Sequence, residues 1–261
     1  MVAIKSNKVY CMDNLELLKQ LPDESVGLIY CDILYNTGKK FKDYNDNLGR
    51  PQQAIEWYEP RLTEMKRVLK DTGSIYIQCD YRLVHYLKVK MDSIFGLDNF
   101  INEIIWKYGL GNANSKNKYL TKHDNILLYS KSKDYIFNNI RGEVTRQMKS
   151  KYCHEDELGK YMISKNKKYY LKGGKKLEDV IEIANISPTS KERVGYDTQK
   201  PKELLKIFIE QSSNKADVVA DFFCGSGTSL VVAKELGRSY IGCDINPRAV
   251  EITEKRLSEV Q

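Results

Sequence analysis

Short apolar segments alternate with helix-like segments at both ends of this 261-residue chain. Residues 26–31 (Val-Gly-Leu-Ile-Tyr-Cys) and 74–79 (Ser-Ile-Tyr-Ile-Gln-Cys) are apolar runs between polar residues, a pattern typical of strands buried on both faces. Between them, residues 56–69 have a helical period, and residues 71–73 (Asp-Thr-Gly) predict a turn. Strands separated by helices favour an α/β fold with a doubly wound, mostly parallel sheet.

The two ends of the chain add further elements of the same kind. Near the N-terminus, residues 14–21 predict a short helix capped by Asp13. In the C-terminal part, residues 217–223 and 239–244 have the composition of buried strands. Helical patterns separate or flank these strands at residues 201–212, 229–236 and 247–259.

Composition excludes several classes of protein. The chain is 41% hydrophobic and 30% charged, as expected of a globular protein. It has no run of about eighteen apolar residues, and its first ten residues lack the apolar region of a signal peptide. The six cysteines form no C-x-x-C pair, which argues against structural zinc or a disulfide framework. We therefore expect a cytoplasmic protein with reduced thiols and no membrane contact.

Positive charge is concentrated in the middle of the chain. Residues 107–193 contain nineteen Lys and Arg against ten Asp and Glu, whereas the rest contains twenty-three against twenty-five. Within this part, residues 141–180 are rich in Lys and Tyr and have little periodicity. The pattern predicts one domain formed by residues 1–106 and 194–261, with residues 107–193 as a basic inserted region that favours an anionic partner.

A glycine-rich segment marks a candidate nucleotide site. Asp221-Phe-Phe-Cys-Gly225-Ser-Gly227 lies between a predicted strand and a predicted helix, where glycine lets the backbone approach a ligand closely. The next strand ends at Asp244, seventeen residues after Gly227. In α/β nucleotide-binding folds a carboxylate at this position accepts hydrogen bonds from the ribose hydroxyls. The alternative is a glycine-rich turn followed by a helix-capping Asp.

The loop itself discriminates between nucleotides. A dinucleotide site requires a third glycine and a helix N-terminus that receives a pyrophosphate, but position 230 is Leu. Asp221 would repel a phosphate and pair well with an ammonium group. These features favour S-adenosyl-L-methionine over NAD as the cofactor.

An acid and an aromatic residue follow the first predicted buried strand. Asp32-Ile-Leu-Tyr35 comes directly after it, at the end of the strand where such sheets present ligand-binding groups. An Asp turn with a buried Tyr would give the same local pattern. The segment resembles the D-P-P-Y motif of amino-methyltransferases that act on DNA bases, with Ile33 and Leu34 in place of the prolines.

Five segments together resemble the β group of DNA adenine-N6 methyltransferases, in which the catalytic motif precedes a target-recognition region and the cofactor motif comes last. Besides the two motifs above, residues 9–26, 123–131 and 190–201 are similar to the family's conserved segments. The resemblance implies a Rossmann-like methyltransferase sheet of permuted motif order, completed by the insert up to about residue 137. It implies that the following residues bind the cofactor: Met12, Asp13, Asn14, Thr198, Lys200, Asp221, Phe222, Phe223, Gly225, Gly227, Thr228, Asp244 and Asn246.

The resemblance also implies a mechanism. The Asp32 carboxylate and the Ile33 carbonyl would accept the two N6 hydrogens of an adenine that has left the duplex, and Tyr35 would stack on that base. Lys200 would bind the cofactor carboxylate, and no metal is required. Relative to D-P-P-Y, the segment retains the acid, the backbone carbonyl and the aromatic ring, so we expect the protein to be active. Ile33 and Leu34 restrict the backbone of the loop less than two prolines would.

Basic residues interleaved with aromatic residues and Asn predict contacts with double-stranded DNA. Tyr108, Asn112 and Asn114 belong to this set. A solvated Lys-rich loop would explain residues 165–176 alone, but the family resemblance favours DNA. The candidate DNA-binding residues are Lys39, Lys40, Lys42, Lys116, Lys118, Lys165, Lys167 and Lys168.

Other functions remain compatible with the sequence. Cytosine-N4 methylation uses a similar amine, and methylation of RNA or a catalytically impaired DNA-binding protein could have the same fold. Family analogy alone suggests a homodimer and a cognate restriction endonuclease as partners. The three histidines, Cys224, Trp57 and Trp106 are interpreted as packing or surface residues.

Overall fold

The structure is a computed structural model that describes residues 5–109 and 116–260. It divides into two compact units, Met1–Asn138 with Asp179–Gln261, and Asn139–Glu178. The strands, in chain order, are β1 (Lys8–Cys11), β2 (Val26–Asp32), β3 (Lys39–Lys40), β4 (Asn45–Asp46), β5 (Leu69–Cys79), β6 (Phe100–Lys107), β7 (His123–Ser130), β8 (His154–Asp156), β9 (Gly159–Ser164), β10 (Lys167–Tyr170), β11 (Val180–Glu182), β12 (Val218–Asp221) and β13 (Ser239–Asp244). The helices are α1 (Asn14–Leu18), α2 (Pro51–Val68), α3 (Val84–Phe95), α4 (Arg146–Lys151), α5 (Lys202–Ser212), α6 (Thr228–Glu235) and α7 (Pro247–Ser258).

An eight-stranded sheet forms the centre of the first unit. Its strand order is β1-β13-β12-β2-β5-β7-β6-β11, and only β7 is antiparallel to its neighbours among the described strands. The predicted α/β fold with a doubly wound, mostly parallel sheet is therefore confirmed. Parallel strands align their carboxyl ends, so the residues that follow β2, β12 and β13 meet at one edge of the sheet.

The two faces of the sheet bury separate apolar cores. Ile29 and Cys31 of β2 pack on the core that includes α1, α2 and α3. Leu28 and Tyr30 of the same strand pack on the opposite core, which includes α5, α6 and α7. Burial on both faces is the reason that the strands are continuous apolar runs without alternation.

Two predicted boundaries differ from the structure. Helix α2 begins at Pro51, five residues before its predicted start, because proline at the first helical position needs no backbone N–H partner. The turn predicted at residues 71–73 is wrong, because these residues lie within β5. In that strand Leu69 pairs with Val26 and Ser74 with Leu28, so β5 accommodates extra residues as an irregularity in the ladder.

The second unit contains a small antiparallel sheet, in the order β10-β9-β8, and helix α4. Ser164 pairs with Lys167, and the two residues between them, Lys165 and Asn166, both have positive φ. Two consecutive positive φ angles are the signature of a tight hairpin turn whose twist matches its strands. Within the described parts of the chain, the helices are all too short or too polar to cross a membrane.

Candidate active site

A cavity of about 430 Å³ lies at the carboxyl ends of the central strands, a size typical of small-molecule sites. Its walls combine the five separate sequence segments in which catalytic and cofactor-binding residues were predicted. The lining includes the predicted catalytic residues Asp32, Ile33 and Tyr35 and eleven of the predicted cofactor-binding residues: Met12, Asp13, Asn14, Thr198, Lys200, Asp221, Phe222, Phe223, Gly225, Thr228 and Asp244.

The other two predicted cofactor-binding residues shape the backbone beside the cavity. Gly227 is the N-cap of α6 and has φ of 69°. Asn246 caps α7 by accepting a hydrogen bond from the Arg248 N–H at 2.9 Å, and its side-chain amide donates to the Asp43 carbonyl at 2.5 Å. Asp43 forms a salt bridge with Arg248, which ties the loop after the catalytic candidate to α7.

Sequence reasoning missed part of the lining. Tyr196, Phe41, Asp43 and Tyr44 line the cavity, and so does Trp57, which was interpreted as a packing residue. The Arg61 guanidinium lies 3.5 Å from the centre of the Trp57 ring. No local sequence pattern marks aromatic residues that approach a glycine loop from elsewhere in the chain. Trp57, for example, reaches the cavity only because the fold places α2 at this edge of the sheet.

The glycine loop fits tightly against its neighbours. A Cβ on Gly225, which has φ of 49°, would lie 3.2 Å from the Tyr196 ring. A Cβ on Gly227 would lie 2.2 Å from the Thr253 methyl group, and Thr253 is fully buried on α7. Positive φ and close packing therefore both require glycine at these positions.

We expect Gly227→Ala to destabilise the protein by about 2 kcal/mol or more, since it adds overpacking to backbone strain. Gly237→Ala is the matched control, because Gly237 has a similar φ of 72° but open space around its Cα. Urea unfolding of both variants separates the two effects. Equal losses of stability would mean that contact with Thr253 is unimportant.

Asp221 is a buried carboxylate at the end of β12, with a relative exposure of 3%. Its oxygens accept hydrogen bonds from neutral donors, the Phe223 N–H at 3.0 Å and the Ser229 hydroxyl. Burial, reinforced by the negative charges of Asp32 and Asp244, raises the pKa of Asp221 to about 7. A ligand cation in the cavity would relieve this unfavourable burial of charge.

Asp244 is oriented by the loop that it faces. Its Oδ2 accepts a hydrogen bond from the Gly225 N–H at 3.0 Å, and its Oδ1 accepts one from the Asn246 N–H at 2.9 Å. Burial raises the pKa of Asp244, and these hydrogen bonds oppose that effect. The backbone thus holds a carboxylate at the cavity wall, as recognition of vicinal hydroxyls requires.

The segment after β2 is held by hydrogen bonds in the absence of prolines. The Ile33 N–H donates to the Gln78 carbonyl at 3.2 Å, and the Tyr58 hydroxyl donates to the Leu34 carbonyl at 2.9 Å. Asp32, the last residue of β2, accepts a hydrogen bond from the Tyr35 hydroxyl at 2.7 Å. Burial raises the pKa of Asp32, although the Lys200 ammonium partly offsets the effect.

Lys200 contacts the acid of the catalytic segment. Its ammonium group forms a salt bridge with Asp32 Oδ2 and lies 3.3 Å from the Thr198 carbonyl. The family resemblance implies a contact of Lys200 with the cofactor carboxylate, and this stays a prediction. The Lys200 and Asp32 side chains are 168 positions apart in the sequence, so their proximity depends on the tertiary fold.

The predicted DNA-binding lysines are distributed over both units. Lys39 and Lys40 form β3 in the first unit and Lys42 follows it, and all three are exposed, as are Lys116 and Lys118. Asn112 and Asn114 lie outside the described residues. In the second unit, Lys165 and Lys167 are exposed, whereas Lys168 forms a salt bridge with Asp156 at 2.6 Å and lies over the Tyr161 ring.

Comparison with solved structures supports the fold. The protein described as PvuII DNA methyltransferase (cytosine-N4-specific) superimposes with a TM-score of 0.67 at 18% identity, over 97% of this chain and 87% of its own. The complex of M1.HpyAVI with SAM has a TM-score of 0.60 at 23% identity, over 96% and 98% of the two chains.

Sequence comparison defines the family. The chain is 33% identical to the type II methyltransferase M.HpaI of Haemophilus parainfluenzae, over 96% of this chain and 74% of that protein. It is 31% identical to the DNA adenine methyltransferase YhdJ of Escherichia coli K12, over 94% and 80%. The sequence profile of a family described as DNA methylase matches residues 26–255, which include Asp32, Tyr35, Asp221 and Asp244. The chain therefore belongs to the DNA methylase family and, with its catalytic segment ahead of its cofactor loop, to the β group of DNA methyltransferases.

Proposed function

We propose that this protein is a site-specific DNA methyltransferase that transfers the methyl group of S-adenosyl-L-methionine to N6 of an adenine flipped out of double-stranded DNA. The observation that carries the proposal is that one cavity contains Asp32, the acid of the catalytic segment, together with Asp221 and Asp244 of the cofactor segments. The names of the relatives support adenine as the target base.

The cavity suits the proposed cofactor. Asp221 offers a buried carboxylate to an ammonium group, and Asp244 offers an oriented carboxylate to ribose hydroxyls. Phe222, Phe223 and Trp57 supply apolar and aromatic walls for an adenine ring. When bound, the cofactor supplies an electrophilic methyl group on a sulfonium.

Asp32 and Ile33 act on the target amine, whose lone pair is delocalised into the base. The Asp32 carboxylate accepts one N6 hydrogen, and the Ile33 carbonyl accepts the other. Both contacts return electron density to nitrogen and favour tetrahedral geometry facing the methyl group. Catalysis then depends mainly on the alignment of the two reacting atoms.

The target adenine must leave the duplex, because N6 is engaged in base pairing there. Tyr35, whose ring is partly buried in the cavity wall, stacks on the extruded base. The lysines of both units contact phosphates. We place this activity in the cytoplasm, with a homodimer and a cognate restriction endonuclease as partners suggested by family analogy.

Product analysis tests the proposal directly. DNA from cells expressing the protein would be sequenced for modified bases and digested for mass spectrometry of nucleosides. N6-methyladenine at one sequence motif is the expected result. N4-methylcytosine would identify the alternative base, methylated RNA would identify the other substrate, and no transfer of tritiated methyl groups despite cofactor binding would indicate an inactive DNA-binding protein.

Alanine at Lys167 and Lys168 is expected to weaken DNA binding and to reduce its salt dependence. Each lost phosphate contact lowers the slope of log affinity against log salt by about 0.9. Lys167→Ala should have the larger effect, because Lys168 is already engaged by Asp156. Fluorescence anisotropy at several salt concentrations measures this, with Lys149→Ala on α4 as the control. An unchanged slope in the double variant would contradict the assignment.

A further inference from the structure

The hydroxyl group of Tyr35 lies between two carboxylates. It is 2.7 Å from Asp32 Oδ1 and 2.8 Å from Asp124 Oδ2, both within hydrogen-bond distance. A phenol has one proton, so it donates to only one carboxylate at a time. Asp32 and Asp124 therefore compete for the same proton.

Asp124 is well placed to compete. It belongs to β7, has a relative exposure of 6%, and accepts hydrogen bonds from the Gln78 amide at 3.0 Å and the Tyr108 hydroxyl at 3.1 Å. The Gln78 amide also donates to the Tyr35 oxygen at 3.1 Å. Tyr30 fixes the orientation of this amide by donating to Gln78 Oε1 at 2.6 Å. The side chains around the Tyr35 hydroxyl thus form one connected network.

The competition determines how good an acceptor Asp32 is. Lys200 occupies Oδ2 of Asp32, which leaves Oδ1 as the oxygen for a substrate N–H. When the Tyr35 hydroxyl donates its hydrogen bond to Oδ1, that oxygen is already engaged and is a weaker acceptor for a second N–H. When the Tyr35 proton points to Asp124, Oδ1 retains its full capacity.

We propose that Asp124 is a positioning residue for the methyl transfer: it draws the Tyr35 proton away from Asp32 and so keeps Asp32 Oδ1 available to the target amine. This inference rests on the proposed function, in which Asp32 accepts an amine hydrogen. Other ionisable groups surround Tyr35, Asp32 and Asp124. Lys200 contacts Asp32, and Tyr108 contacts Asp124. Further groups interact electrostatically with one or both carboxylates: Tyr30, Cys79 and Asp80.

The test is a double-mutant cycle on the single-turnover rate of methyl transfer. Asp124→Asn keeps the shape of the side chain and an acceptor oxygen, but a neutral amide competes poorly with the Asp32 carboxylate for the Tyr35 proton. We expect its rate to fall roughly 10- to 100-fold, with cofactor affinity and KM for DNA unchanged. Tyr35→Phe removes the hydroxyl proton and keeps the ring that stacks on the base, so it provides the background in which the effect of Asp124→Asn is measured again.

The double variant discriminates positioning from a structural role. In the Tyr35→Phe background, Asp124→Asn should have no further effect on the rate, because there is no proton left to redirect. Asp92→Asn is the matched control, since Asp92 accepts a hydrogen bond from the Tyr129 hydroxyl at 2.7 Å away from the cavity. It should leave the rate unchanged.

Several results would overturn the proposal. An equal loss of rate from Asp124→Asn in both backgrounds would show that Asp124 only supports the fold. Loss of activity in Tyr35→Phe would show that the hydroxyl itself is required, and this single variant decides the matter if Asp124→Asn fails to fold. A wild-type protein that methylates no nucleic acid would refute the proposed function instead, so the two failures are distinguishable.

Discussion

Asp32→Asn is expected to lower the rate of methyl transfer by roughly 10³-fold while cofactor binding is retained. In the proposed mechanism the Asp32 carboxylate is the charged acceptor for the amine hydrogen. An amide of the same shape neither carries that charge nor takes the proton released when the N–C bond forms. The variant also leaves Lys200 without its carboxylate partner. Tritium transfer to DNA and isothermal titration calorimetry with the cofactor measure the two properties separately.

Controls for Asp32→Asn concern folding and binding. Circular dichroism should show an intact fold, and DNA affinity should change little, because the proposed phosphate contacts come from lysines and not from Asp32. A variant that still methylates DNA within tenfold of wild type would remove Asp32 from the mechanism. A variant that no longer binds cofactor would assign Asp32 to the cofactor site.

Asp221→Asn is expected to stabilise the free protein and to weaken cofactor binding. The pKa of Asp221 is about 7 in the folded protein, against an ordinary value of 3.8, so the folded state holds its proton more tightly than the unfolded state. The Asp221 contribution therefore destabilises the protein progressively as pH rises from about 4 to about 7, and then remains constant. The full effect is on the order of 4 kcal/mol, which the neutral amide avoids.

The negative charge of Asp221 that destabilises the free protein is expected to strengthen cofactor binding. In the proposed function the cofactor ammonium group would pair with ionised Asp221, so wild-type affinity should rise with pH up to about 7 and level off above it. Below that pH, each unit should lower the affinity by about tenfold, because Asp221 must lose a proton on binding. Asp221→Asn should bind the cofactor roughly 10- to 100-fold more weakly, with little dependence on pH.

Two series of measurements check the Asp221 prediction. Urea unfolding from pH 4.5 to pH 8 gives the difference in stability between wild type and Asp221→Asn, and calorimetry over the same range gives the affinities. A stability difference that does not change with pH would mean that Asp221 titrates normally. Wild-type affinity that is independent of pH would mean that Asp221 does not face the ammonium group.

Local patterns in the sequence identified most of the elements that build the site. The glycine-rich loop was predicted from Gly225 and Gly227, which need positive φ and close approach, and Asp244 from its place at the end of the next strand. The irregular course of β5 at residues 71–73 could not be predicted in this way. Asp-Thr-Gly is typical of turns, and in the structure it forms the irregular part of β5, between the residues that pair with Val26 and Leu28.

The sequence by itself determined the class of fold, the glycine-rich loop and several carboxylates of the cavity wall, because burial on both faces of a sheet and glycine-dependent turns leave patterns within a few neighbouring positions. The family resemblance added the permuted order of the motifs. The tertiary structure decided which of those residues act on one another. Lys200 pairs with Asp32, and Asp124 competes for the proton of Tyr35, through contacts between segments far apart in the chain. The pKa of Asp221 likewise depends on how completely the surrounding elements exclude water, which is a property of the folded packing and not of any local stretch of sequence.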